Sequence, residues 1–263
     1  MPTDDIAKLS SPDPAVRDAA AAAIRKAIAA NPSAAGDRGE AFWKAKLATI
    51  KLGITREQLD AILPNQGEGT MGGNSGETTN LRVDDYWTVS AHFDRSQLLR
   101  ELSALTRSVR VVWVQPPAGF SGKWTGYFVN GIAARVIVYT AAGKYERFTS
   151  YYDNGQLTYE QRYVNGEIDG PELGFHRDGR SAYDIHHAAG KNAGHWVHWY
   201  PDGKMQSEER YKDGVLDGTS SNWRPDGTKS SRIDYRAGQE TGQAAWDEQG
   251  KLIYARGSAE NAK

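Results

Sequence analysis

Tyr151-Tyr-Asp-Asn-Gly-Gln-Leu-Thr-Tyr-Glu-Gln-Arg-Tyr163 returns in altered form as Tyr200-Pro-Asp-Gly-Lys-Met-Gln-Ser-Glu-Glu-Arg-Tyr211. Each stretch sets Asn-Gly or Asp-Gly between segments rich in aromatic and β-favouring residues. Asn or Asp followed by glycine supplies the positive φ angles that a short hairpin turn needs. Flanking segments such as Thr158–Tyr163 and His195–Tyr200 read as strands. The unit is a hairpin.

Working outward, Gly155, Gly179, Gly203 and Gly227 fall 24 residues apart, and Gly250 follows after 23. Gly166, Gly190, Gly214 and Gly238 keep the same period, as do Gly170, Gly194, Gly218 and Gly242. Three series in step mark an internal repeat. Aromatic residues beat at half that period: Tyr127, Tyr139, Tyr151, Tyr163, Phe175, Trp199, Tyr211, Trp223 and Tyr235 lie on a 12-residue grid. Trp246 comes one residue early and His187 interrupts the series. Each unit then holds two strands and two turns. One turn is compact, as at Asp153–Gly155, Arg177–Gly179, Pro201–Gly203 and Pro225–Gly227; the other is a looser Gly-x-x-x-Gly stretch, as at Gly166–Gly170. A loose turn there places residue 163 opposite 171 and 187 opposite 195. In that register Tyr211, Glu209 and Ser207 share a face with Thr219, Ser221 and Trp223, while Glu208, Arg210, Ser220 and Asn222 point away. The expectation is one aromatic face and one polar, solvated face.

The pattern Tyr-x-x-Asn-Gly-x4-Glu-x2-Tyr at Tyr151–Tyr163, repeated at Tyr200–Tyr211, resembles the MORN-repeat variant found in proteins labelled as antitoxin components. The resemblance spans roughly residues 122–257. It weakens in unit 175–198, where Asp184 replaces glutamate and His187 replaces tyrosine, and at Arg232, where the glutamate is lost. It implies an elongated single-layer β-sheet that associates with protein or membrane, with no catalytic residue to carry over.

The first 118 residues read as a separate α+β module. Asp13 before Pro14 is an N-cap followed by proline at the first helical position, opening an alanine-rich helix to about Ala30. A second helix is expected from about Arg38 to Lys51, ending at Gly53. Thr55-Arg-Glu-Gln58 forms a capping box for a short third helix to Leu63-Pro64. The glycine-containing residues 65–80 read as a flexible loop. Strands are expected at about Asn80–Val83, Tyr86–Phe93 and Val109–Val114, with Trp87, Val89, Ala91 and Phe93 on one face. Lys51-Leu-Gly-Ile-Thr-Arg-Glu-Gln-Leu-Asp-Ala-Ile-Leu63, with the loop and strands after it, is similar to the small outer-membrane assembly lipoproteins. That resemblance implies a protein-interaction module, although their lipid-modified cysteine is absent.

Composition narrows the chemistry. Lysine plus arginine total 32 against 33 acids, and each half of the chain is itself near neutral, which argues against a nucleic-acid partner. With no cysteine there is no disulfide, thiolate metal site or thiol nucleophile. Gly67-Glu-Gly69-Thr-Met-Gly72 has the text of a dinucleotide loop but follows a helix rather than a strand, so it reads as a plain loop. Five histidines cluster: His176, His186, His187, His195 and His198. The register above lets His187 and His195 meet, with His186 and His198 as a diagonal pair on the other face. Two ligands are a poor zinc site, so His187 is expected to pack like an aromatic. Glu160 and Glu208 recur at equivalent positions, which points to cross-strand pairing with arginine neighbours rather than to a catalytic pair.

The sequence thus predicts an α+β helix–helix–hairpin module over 1–118, followed by an elongated all-β antiparallel hairpin-repeat sheet over 119–263. It predicts a non-enzymatic protein-interaction or scaffold protein, antitoxin-like or immunity-like in one version. The partner would be held on Tyr163, Phe175, Trp199, Tyr211, Trp223, Tyr235 and Trp246. No catalytic residue, metal or cofactor is expected. A membrane surface is the alternative partner, disfavoured by the near-neutral charge; sugar binding on the tryptophans is another. The expected location is cytoplasmic, or exported if a leader has been removed.

Overall fold

The computed structural model describes residues 3–63, 68–73 and 76–259. The chain divides into two compact units, Met1–Val114 with Tyr127–Ile132, and Gln115–Gly126 with Ala133–Lys263.

In the first unit, helices α1 (Thr3–Lys8), α2 (Pro14–Ala30), α3 (Glu40–Leu47) and α4 (Arg56–Ile62) precede a meander of β1 (Glu68–Gly73), β2 (Gly76–Arg82), β3 (Trp87–Phe93) and β4 (Leu99–Arg107). The caps form as their sequences dictate. Asp13 Oδ1 accepts from the Ala15 amide at 2.8 Å, and Thr55 and Gln58 complete the capping box. Trp87, Val89, Ala91 and Phe93 are buried alternately with their neighbours, and Trp43 is wholly enclosed. Burying a ring of that size contributes about 2–3 kcal/mol. Its indole N–H stays satisfied by Asp84 Oδ2 at 2.7 Å, as that of Trp87 is by Asp37.

The first unit departs from expectation in four places. Helix α3 is shorter than Arg38–Lys51: Gly39 at its N-cap takes φ 81°, and after Leu47 the chain tightens into turns with Thr49 N donating to Lys46 O and Ile50 N to Leu47 O. The stretch expected as a flexible loop supplies β1 and the start of β2, paired from Glu68↔Leu81 to Gly73↔Gly76; Pro64–Gly67, Asn74 and Ser75 lie outside the described residues. The dinucleotide-like text therefore runs into a strand. Strand β4 was not foreseen: its register on β3 shifts twice, so its inward residues do not alternate. The strand expected over Val109–Val114 reduces to β5 (Val111–Val112), paired with Phe128 and Tyr127.

The second unit is an antiparallel sheet. Its strands are β6 (Gly122–Phe128, the last two residues belonging to the first unit), β7 (Ala133–Tyr139), β8 (Tyr145–Tyr151), β9 (Leu157–Val164), β10 (Glu167–Phe175), β11 (Ser181–Ala188), β12 (Lys191–Trp199) and β13 (Met205–Lys212). They continue as β14 (Val215–Leu216), β15 (Gly218–Trp223), β16 (Lys229–Arg236), β17 (Gln239–Trp246) and β18 (Leu252–Gly257). Each lies beside the next, β14 and β15 both pairing with β13.

The two turn types are the reverse of the expectation. The Gly-x-x-x-Gly stretches begin with the tightest turns in the sheet. Asn165-Gly166, Ala189-Gly190, Asp213-Gly214 and Ala237-Gly238 each place two successive residues at positive φ, the two-residue hairpin geometry that matches strand twist. The second glycines, Gly170, Gly194 and Gly218, fall at bulges. The Asp-Gly turns are the longer type, with only the glycine at positive φ, as in Tyr152–Gly155 closed by Gly155 N to Tyr152 O at 2.9 Å.

Register follows from this. Residue 163 faces 168 rather than 171, and 187 faces 192 rather than 195. Beyond each tight turn the bulge adds two residues, so that Gln161 faces Glu172 and Glu208 faces Ser221. In the hairpin of β16 and β17 it adds only one, between Tyr235↔Glu240 and Asp234↔Gly242. That missing residue is why Trp246 arrives early.

After β18 the chain folds back. Ser258 N donates to Thr241 O at 3.0 Å, and Ala259 is buried against Ala244 with Trp246 and Ala255. Gly242 makes room, since a Cβ there would lie 2.5 Å from Ser258 Oγ. Asp234 ties this end together, accepting from Arg232, Thr219 and Ser258. Burial raises its pKa, but those hydrogen bonds outweigh it and hold the carboxyl below its ordinary 3.8.

Two outcomes follow. Ala189 and Ala237 occupy left-handed positions where Asn165 and Asp213 stand in sister turns, so Ala189→Asn with Ala237→Asn should gain about 1 kcal/mol each. Urea denaturation measures this; an unchanged midpoint would contradict the turn assignment. Asp234→Asn should cost about 1–3 kcal/mol at neutral pH. Because the folded carboxyl's pKa is depressed, its contribution is complete above 3.8 and is lost as pH falls through the lower folded value. The gap between wild type and variant should therefore close in acid; a gap that persists there would rule out the ionic contribution.

Candidate functional site

Directly paired residues on neighbouring strands project to the same side of a sheet, and alternate residues along a strand to opposite sides. Applied to the observed register, this divides the seven predicted partner-binding residues. Tyr163, Tyr211 and Tyr235 lie on one face, here the tyrosine face; Phe175, Trp199, Trp223 and Trp246 lie on the other, here the tryptophan face. The expected single aromatic face is thus corrected. A one-residue change in pairing moves every side chain of a strand to the opposite side, and the tight turn with its bulge makes such a change. Tyr211, Glu209 and Ser207 consequently share a face with Ser220 and Asn222, while Glu208 and Arg210 share theirs with Thr219, Ser221 and Trp223.

The tyrosine face is knitted internally. Rings contact in series from Tyr139 to Tyr145 (5.3 Å) and Tyr163 (5.6 Å), and again from His187 to Trp196 (5.5 Å) and Tyr211 (4.4 Å). Glu172 anchors a polar network, accepting from Gln161 Nε2 at 2.8 Å and facing His187 Nε2 at 3.0 Å, while the Tyr163 hydroxyl donates to Gln161. Burial, with Glu172 adding to it, pushes the Tyr159 phenol well up; burial and the hydrogen bond to Glu209 push Tyr211 up to about 12. These phenols are fixed donors at neutral pH, not bases. The grid missed Tyr159, Tyr183 and Trp196, whose shared parity with Tyr163 along the paired strands is the signal that finds them.

The tryptophan face is organised in two rows. Nearest the longer turns, Phe175, Trp199, Trp223 and Trp246 stand on every second strand, roughly 9–10 Å apart at the backbone. They pair in turn with Ser181, Met205, Lys229 and Leu252. All four rings are half-buried. Lys229 Nζ lies 5.1 Å from the Trp223 ring and 5.8 Å from that of Trp246, a cation held between two π faces. One step inward runs the row Glu160, Leu173, Asp184, Val197, Glu208, Ser221, Arg232 and Ala244. Its acids are separated by an intervening strand, so they do not form the close pair that acid–base catalysis uses. Glu160 has Arg162 at 3.8 Å and Glu208 has His195 at 3.2 Å.

The histidines are redistributed as well. His186 and His195 lie on the tryptophan face, His187 and His198 on the tyrosine face. His187 and His195 therefore do not meet, and His186 and His198 are not a diagonal pair. Among the described residues, no group of three or more histidines and acids is placed to hold a metal ion.

One recurring set escaped the sequence reading. The residue that opens each longer turn reaches the carbonyl of a grid aromatic in the next unit: Tyr152 to Phe175 (3.0 Å), His176 to Trp199 (3.0 Å), Tyr200 to Trp223 (2.8 Å) and Arg224 to Trp246 (2.5 Å). Its signal is a long polar side chain at a 24-residue period, directly after the aromatic series.

No curated protein matches this chain. A solved structure described as accessory secretory protein 1, 2 and 3 in Streptococcus pneumoniae is similar at 12% identity and a TM-score of 0.15; the match covers 62% of this chain and 23% of that one. The family model described as MORN repeat variant matches residues 147–165 and 193–213, so two stretches of this sheet are similar to that repeat.

Proposed function

We propose that the protein is a non-enzymatic scaffold that holds a protein partner on the tryptophan face, through Phe175, Trp199, Trp223 and Trp246. The observation that carries this reading is the alignment of those four half-buried rings at one margin of one face. Large rings bring much contact area at low entropy cost, which suits a recognition surface. Tyr163, Tyr211 and Tyr235 are assigned instead to holding the sheet together. Repetition of acids at one spacing, rather than their convergence in a pocket, supports a non-catalytic role. Toxin neutralisation is one form of this function.

Affinity capture tests it. Trp199→Ala with Trp223→Ala should weaken retention of a specific partner at least tenfold, the scale expected of central anchor residues. Tyr163→Phe with Tyr211→Phe should leave retention unchanged. Equal loss from both pairs, or none from the first, would overturn the assignment. Glycan-array binding or vesicle flotation that depends on the tryptophans would replace the protein partner with a sugar or a lipid surface.

A further inference from the structure

The gaps between successive rings of the tryptophan row are equivalent by repeat symmetry, but their contents differ. Between Trp223 and Trp246 the gap is filled from within by Lys229, whose ammonium lies within 6 Å of both ring centroids, at 5.1 and 5.8 Å. Met205 is its counterpart between Trp199 and Trp223. Between Phe175 and Trp199 the counterpart is Ser181, which is exposed and ends one atom past Cβ. The strand between those two rings therefore sends no long side chain into their gap.

The inward neighbour differs too. Behind Lys229 the inner row carries Arg232; behind Ser181 it carries Asp184, flanked by Leu173 and Val197. Asp184 Oδ1 is shielded from solvent and accepts no hydrogen bond from the described residues, while the rest of the side chain is exposed. On the same strand, His186 Nδ1 lies 3.4 Å from that oxygen. The exposed remainder of the carboxylate is open to an ammonium entering between the rings, which would add a charge-assisted hydrogen bond.

We propose that the gap between Phe175 and Trp199 takes a lysine side chain of the partner protein, its methylenes between the rings and its ammonium on Asp184. This rests on the scaffold reading and names the chemistry that the partner must present. Lys229 is the internal precedent for the aromatic half of the site. Asp184 makes the slot selective for a cation.

The test uses the whole chain, with Nα-acetyl-lysine amide as probe and Nα-acetyl-norleucine amide as its uncharged counterpart, at pH 7.5. The Trp199 indole N–H resonance, assigned by Trp199→Phe, should shift saturably with lysine at a Kd on the order of millimolar, and not with norleucine. Asp184→Asn should weaken the effect at least fivefold. Ser181→Lys, which copies Lys229 into the slot, should abolish it with the other indole signals and the circular dichroism unchanged. Equal shifts with both probes, or an undiminished shift in Ser181→Lys, would overturn the proposal. The two readings separate cleanly. A partner lost on Trp199→Ala with Trp223→Ala but retained by Ser181→Lys keeps the scaffold and removes the slot; lysine binding without any tryptophan-dependent partner keeps the slot and removes the scaffold.

Discussion

In the repeat sheet each strand lies beside the next, so the repeats are fastened to one another at their margins. The fastening is the hydrogen bond from the residue that opens each longer turn to a main-chain carbonyl in the next unit, made by Tyr152, His176, Tyr200 and Arg224 in succession. At the opposite margin, the amides of Gly190, Gly214 and Gly238 donate to Ile168, Asn192 and Leu216 in the preceding unit. Each such bond contributes about 1 kcal/mol. Their value lies in position, because they fix the spacing of turns that side-chain packing on an open sheet would leave loose. Three residue types, tyrosine twice, histidine and arginine, perform the first task, so the geometry of the acceptor, not the identity of the donor, is what the repeat preserves.

With the margins fixed, the interior register becomes a matter of parity. A two-residue turn followed by a two-residue bulge returns an even number of extra residues, so face assignment survives from unit to unit. The hairpin of β16 and β17, with a single extra residue, still ends with Trp246 on the tryptophan face, because the shortened spacing in sequence and the shortened bulge cancel. What looks like an irregular grid in the sequence is a regular row in space.

The same parity explains what could be read from the sequence. Strand positions, turn glycines and the repeat itself were legible, since glycine at positive φ and alternating aromatic segments are local signals. The side to which each aromatic points was not. It depends on how many residues a bulge absorbs, and Gly166–Gly170 is compatible with one loose turn or with a tight turn plus a bulge; only the long-range pairing of Gln161 with Glu172 chooses between them. In the first unit, Asp13 and Thr55 announced their helices because caps act within one turn, whereas β4 was hidden by two register shifts that belong to its partner as much as to itself. Of the candidate site, the residue types were legible and their grouping was not.

A repeat also separates structure from recognition. A position that maintains the sheet must be satisfied in every copy, so its demands recur: glycine in the turn, a ring before it, a donor opening it. Recognition of one partner needs only one copy to differ. The unit 175–198 is where the copies diverge, with Ser181 for a longer side chain, Asp184 for glutamate and His187 for tyrosine. These changes carry different consequences on the two faces. His187 still stacks on Trp196 and meets Glu172, so the tyrosine face is preserved by substitution. On the tryptophan face Ser181 leaves its gap without the long side chain that Met205 and Lys229 supply in theirs, and Asp184 keeps a partly exposed carboxylate behind it. A departure that the fold compensates reads as drift, and one that it leaves uncompensated beside half-buried rings reads as a place prepared for another molecule.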